Sequence, residues 1–101
     1  MLERTETDGV VLLSLAHGKV NAMDTELLEG LRQTFRDLGA TDCPAVVLTG
    51  AGRAFSAGVD LTRLADGGAA YAGGFLDALT GAFEAVFNFD RPVVAAVNGH
   101  A

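Results

Sequence analysis

VVLTGAGRAFSAGVDL, residues Val46 to Leu61, changes character along its length. Val46 to Thr49 is an apolar, β-branched run, the signature of a buried strand. Gly50-Ala51-Gly52 then permits a tight turn. Phe55 to Leu61 leads into a helix start, with Asp60 suited to cap it. A strand that passes through a glycine loop into a helix leaves backbone N–H groups unpaired, and such groups hold negative charge. The order predicts an α/β domain with an anion-holding loop after the strand.

Upstream of this stretch the chain reads as strand, strand, helix. Glu3 to Thr7 alternates as a short edge strand, and Asp8-Gly9 is a two-residue hairpin signal. Val10 to Leu15 is almost continuously apolar, which predicts a strand buried on both faces. Ala16 to Ala22 is a loop in which Gly18 and Asn21 tolerate unusual backbone angles. Asp24 is a good N-cap, and Leu27, Leu28, Leu31, Phe35 and Leu38 recur at helical spacing, so residues 24–38 are predicted to be a helix ending at a C′ Gly39. A strand at 45–49 after that helix implies parallel pairing with Val10–Leu15.

Downstream, Leu61 to Ala65 is predicted to be a short helical turn. Asp66 to Gly74, with its four glycines, reads as a flexible connector, or alternatively as a mobile flap beside a pocket. Phe75, Leu76, Leu79, Phe83, Val86 and Phe87 mark a second amphipathic helix whose aromatic stripe belongs to the core. Val93 to Val97 reads as a central strand. Only Asn98 to Ala101 follow it, so the chain is expected to be the N-terminal part of a single larger α/β domain.

Composition narrows the partners. The 101 residues are 50% hydrophobic and 20% charged, a globular composition. The net charge of −6 argues against nucleic acid and against an anionic membrane surface. It leaves room for an anionic small molecule, because Lys19, Arg53 and Arg63 stand near the loop in sequence. A lone cysteine, Cys43, reads as a small, partly buried residue of a reducing compartment. The N-terminus carries no secretory signal, and no apolar run approaches the ~20 residues of a membrane span. A cytoplasmic location is expected.

Several chemistries fail on residue type. A dinucleotide fingerprint needs a third glycine where Phe55 stands, and a P-loop needs lysine after Gly58, where Val59 stands. No serine occupies a nucleophile elbow, and His17, His100 and Cys43 are too isolated to suggest a metal site. Each histidine reads as structural or solvated. Asp60 is better explained as a cap than as a catalytic acid.

Gly18-Lys19-Val20-Asn21-Ala22-Met23, Val47 to Leu61, and Arg91-Pro92-Val93-Val94-Ala95-Ala96-Val97-Asn98-Gly99-His100-Ala101 together resemble the enoyl-CoA hydratase/isomerase (crotonase) superfamily, in its order and spacing. The resemblance covers essentially the whole chain. It implies a crotonase-like spiral of ββα units, assembled as homotrimers or hexamers, with an acyl-CoA substrate and no separate cofactor or metal. It implies that the thioester oxygen is held by two backbone N–H groups, the first being that of Val59. Ala22, Ala57, Gly58, Asp60 and Leu61 would shape the coenzyme A site, and Lys19 or Arg63 would approach its phosphates. The second donor and the acid/base glutamates would lie beyond Ala101, so these residues alone are expected to be inactive. Within this family, hydratase, isomerase and related chemistries stay open. A non-catalytic acyl-CoA-binding or scaffold protein is the alternative.

Overall fold

The structure, a computed structural model, describes residues 1–101 throughout. The elements run β1 (Leu2–Thr7), β2 (Val10–Leu15), α1 (Thr25–Gly39), β3 (Val46–Gly50), α2 (Leu61–Phe87) and β4 (Val93–Ala95). The strands form one sheet in the order β1-β2-β3-β4. β1 and β2 pair antiparallel about the Asp8-Gly9 turn, where both residues have positive φ, 52° and 85°. The β2–β3 and β3–β4 pairs are parallel, with Leu12 opposite Val47 and Val47 opposite Val94.

The core lies between the sheet and the two helices. α1 forms where the spacing predicted. Asp24 caps it by accepting from the Leu27 N–H at 2.8 Å, and Leu27, Leu28, Leu31, Phe35 and Leu38 are all buried. Leu28, Leu31, Phe35 and Leu38 form one cluster with Val11, Leu13 and Val46 from the sheet and Phe75, Ala78 and Ala82 from α2. Fully burying one such leucine or phenylalanine is worth about 1.5–3 kcal/mol, so this face outweighs any local preference.

Several expectations are corrected. β2 is not buried on both faces: Val11, Leu13 and Leu15 are buried, whereas Leu12 is 37% exposed, because both helices pack on one side of the sheet. Gly39 is the last helical residue and not a left-handed terminator; the cap is Ala40, at φ −87°. β3 starts one residue later than predicted and takes in Gly50. Leu61 to Phe87 is helical nearly throughout, and the only non-helical residue within it is Gly68, at φ 63° and ψ −158°. The segment 66–74 is thus a broken helix and not a loop. Its Ala-rich composition sustains the helix on either side of the one residue at which only glycine fits. Of the aromatic stripe only Phe75 is core; Phe83 and Phe87 are exposed, and Ala78 and Ala82 are buried in their stead, where a small residue lets α1 approach. β4 is shorter than predicted and is an edge strand, with Val94 exposed.

Arg91 holds the far end of α1. Its guanidinium donates to the carbonyls of Leu38 (3.2 Å), Gly39 (3.2 Å), Thr41 (2.6 Å) and Cys43 (3.0 Å), and it sits over the Phe89 ring at 4.6 Å. Carbonyls at a helix C-terminus lack intrahelical donors and attract a cation.

Candidate active-site loop

Two loops, residues 16–24 and 51–60, meet above the carboxyl ends of β2 and β3. Backbone hydrogen bonds join them: Ala57 N–H to the Val20 carbonyl (2.9 Å), Met23 N–H to the Gly58 carbonyl (2.7 Å) and Asp60 N–H to the Met23 carbonyl (2.9 Å). The last two make a parallel bridge between Met23 and Val59. The Gly58 N–H is taken by Ser56 Oγ at 3.1 Å, and Ser56 Oγ itself donates to the Asn21 carbonyl at 2.8 Å. From Ala57 to Asp60, then, every backbone N–H has a partner within the chain except that of Val59. Val59 follows Gly58, whose φ of 86° turns the chain sharply at this point.

Asn21 anchors the arrangement from below. It is 1% exposed, with φ 52°. Its Nδ2 donates to the carbonyls of Ala54 (3.2 Å) and Phe55 (3.0 Å), and its Oδ1 accepts from the His17 N–H (2.8 Å). The C-terminal residues close the far side. Asn98 Oδ1 accepts from the Gly50 N–H (2.9 Å), and its Nδ2 donates to the Gly52 carbonyl (3.1 Å). The His100 carbonyl accepts from Phe55 N–H (2.8 Å). The loop folds back so closely that a Cβ on Gly50 would stand 2.1 Å from the Ala54 carbonyl oxygen, so only glycine fits there.

Beside the loop lies an apolar cavity of about 460 Å³. It is lined by Leu15 and Leu48 of the sheet, by Met23 of the 16–24 loop, by residues of α1, by Phe83, Val86 and Phe87 of α2, and by Phe55 and Ser56 of the 51–60 loop. A more open and more polar groove runs along the start of α2, past Asp60, Thr62, Arg63, Asp66 and Tyr71.

Of the residues singled out from sequence, the fold gathers Ala22, Ala57, Gly58, Val59 and Asp60 around the Met23–Val59 bridge. Asp60 is the cap it was expected to be, with Oδ1 accepting from the Arg63 N–H at 3.1 Å. Leu61 is 71% exposed on the first turn of α2. Lys19 is exposed and makes no side-chain hydrogen bond or ion pair within the chain. Arg63 is engaged elsewhere: its guanidinium forms a two-pronged pair with the Glu26 carboxylate, lies 3.5 Å from Asp24 Oδ2 and sits over the Tyr71 ring at 5.0 Å. The hydrogen bond from Arg63 holds the Glu26 carboxyl well below its usual range, at about 2. No group of three or more histidine, cysteine, aspartate or glutamate side chains is placed to hold a metal.

Sequence reading gave Asn21 only a backbone role and gave the pair of His17 and Asp24 none. His17 Nε2 lies 2.6 Å from Asp24 Oδ2. The signal for Asn21 was a polar side chain set between Val20 and Ala22 in a loop flanked by buried segments, where an amide must find partners.

An α/β sheet whose parallel strands end in a loop with the Val59 N–H unpaired has the build of a protein that can meet a polarised oxygen with its backbone. The comparisons make this specific: the family model for enoyl-CoA hydratase/isomerase matches residues 5–101, and the chain belongs to that family. It is 36% identical over its whole length to a probable enoyl-CoA hydratase of Mycobacterium tuberculosis, and covers 40% of that protein. It is 38% identical to a carnitinyl-CoA dehydratase of Escherichia coli, over 99% of this chain and 39% of the relative. Among solved structures, Pseudomonas aeruginosa DspI superposes with a TM-score of 0.91 at 37% identity, over 99% of this chain and 39% of its own. An enoyl-CoA hydratase from Bacillus anthracis superposes with a TM-score of 0.89 at 30% identity, over 97% of this chain and 40% of its own. The chain thus spans about two fifths of the length of these relatives.

Proposed function

We propose that the protein acts on an acyl-CoA thioester and that the Val59 N–H is one of two backbone donors to the thioester oxygen. The observation that carries this is the Val59 N–H itself, left without a partner while its neighbours are all bonded. When a base removes a proton next to a thioester carbonyl, or water adds across the conjugated double bond, negative charge collects on the carbonyl oxygen. A donor already fixed in place stabilises that charge without reorganising, and one such donor is worth about 2.7–4 kcal/mol. The apolar cavity bordered by Phe55 and Ser56 suits the alkyl part of the acyl group.

The names of the relatives favour hydration or dehydration: water's oxygen bonds the β-carbon and a proton the α-carbon. The second donor and the acid/base carboxylates belong to residues beyond Ala101, and the working enzyme is a cytoplasmic trimer or hexamer. The 101-residue polypeptide alone is expected to hydrate no crotonyl-CoA, and measurable turnover by it would overturn this assignment of roles.

The test is Val59→Pro in the full-length protein. Proline removes the N–H, and the Met23 bridge is kept because it uses only Gly58 O and Asp60 N. The expected result is a loss of about 10²–10³-fold in kcat on crotonyl-CoA. Retained kcat in a folded Val59→Pro protein would sink the reading.

A further inference from the structure

The loop that presents Val59 is not a strand or a helix, so something must fix its height. The Met23–Val59 bridge does this on one side, and Met23 belongs to the 16–24 loop, which is itself irregular. What closes that second loop is a side-chain contact across its base. His17 Nε2 meets Asp24 Oδ2 at 2.6 Å, with both side chains largely shielded, at 26% and 10% exposure. Asp24 is anchored in turn: its Oδ1 takes the Leu27 N–H as the cap of α1, and Arg63 Nη1 lies 3.5 Å from its Oδ2. His17 is anchored through its own N–H to Asn21. Between these two ends lie Val20, Asn21 and Met23, which make every hydrogen bond from this loop to residues 54–60.

We propose that His17 and Asp24 form a clasp that positions the Val59 N–H, transmitted through Met23; this rests on the reading of Val59 as an oxyanion donor. His17 touches no reacting atom and is a positioning residue. With the clasp open, the 18–23 stretch is tied only at Asn21 and at its backbone bonds, and the Met23–Val59 bridge gains freedom. A donor displaced by a fraction of an ångström costs transition-state stabilisation more than substrate binding.

The experiment uses the full-length protein with His17→Ala, His17→Gln, Asp24→Ser and the double variant His17→Ala/Asp24→Ser. Serine still caps α1 but is too short to reach His17. Glutamine can place its amide nitrogen near the Nε2 position. The expected result is a loss of about 10–100-fold in kcat for His17→Ala and for Asp24→Ser. KM for crotonyl-CoA should stay within about twofold. His17→Gln should recover most of the loss, and the double variant should be no worse than either single one. Independently of turnover, the Val59 amide resonance should move in His17→Ala and return in His17→Gln. Unchanged kcat together with an unmoved Val59 amide in His17→Ala would overturn the clasp, as would a loss that glutamine does not recover. If the amide moves as expected but the wild-type protein turns over no acyl-CoA, the clasp stands and the thioester reading fails.

Discussion

At the residue scale, the pair formed by Arg63 and Glu26 makes a prediction that can be read by titration. Hydrogen bonding from Arg63 holds the Glu26 carboxyl at about 2, below its ordinary 4.5. A carboxyl depressed in the folded state stabilises the fold above its unfolded value and loses that contribution as pH falls through the folded one. The window is therefore pH 4.5 down to about 2. Both side chains are nearly half exposed, so solvent screens the pair and the effect at neutral pH is small. Melting temperatures of wild type and Glu26→Gln should differ slightly above pH 4.5 and converge near pH 2; a gap that stays constant to pH 2 would refute the assignment. Residue roles were legible in sequence where they act locally. Asp24 and Asp60 each cap an N–H three positions on, which a sequence displays directly. Glu26 and Arg63 stand 37 positions apart and meet only because α2 lies across the start of α1. Val59 was singled out only through the resemblance of its motif. That its N–H is unpaired while those of Ala57, Gly58 and Asp60 are bonded was not visible, because that depends on Val20, Ser56 and Met23 accepting the neighbouring bonds.

At the element scale, α1 shows what local information can settle. An N-cap, acid in the first turn and five apolar residues at one spacing agree with one another, and the structure keeps them all. α2 shows the opposite. Its four glycines between 66 and 74 argue for a connector, yet helix continues on both sides of Gly68, because burial of Phe75, Ala78 and Ala82 against α1 overrides weak propensity. The C-terminal end of α1 depends on a residue far away in sequence. Arg91 satisfies four carbonyls at once in a planar fork and stacks on Phe89. Lysine offers one point charge and no plane. Arg91→Lys is expected to destabilise the protein by about 1–3 kcal/mol, measured by urea denaturation. A change within error would mean that the carbonyls are equally well served by water.

At the scale of the whole molecule, the sheet carries helices on one face only. Leu12, Val47 and Val94 stand in register on the other face, and Leu12 and Val94 are exposed. On the helical side Phe83 is 54% and Phe87 88% exposed. Apolar surface in this quantity binds hydrophobic dyes. The 101-residue polypeptide should enhance ANS fluorescence, and Phe83→Ser/Phe87→Ser should reduce the signal at unchanged helix content by circular dichroism; an unaffected signal would place the dye elsewhere. The sequence suggested full burial here because an apolar run does not say which of its faces will be covered. The hold of the C-terminal residues on the glycine loop has a consequence in time. Gly50 and Asn98 are joined across 48 positions, and the Phe55 N–H waits for the carbonyl of His100. Contacts so distant along the chain pay their closure entropy late. As the polypeptide leaves the ribosome, the hairpin and α1 can form from what has already emerged. The Gly50 to Ser56 part of the loop cannot complete its bonds until residue 100 is out, so a chain halted a few residues earlier would hold its helix with that part of the loop still unfastened.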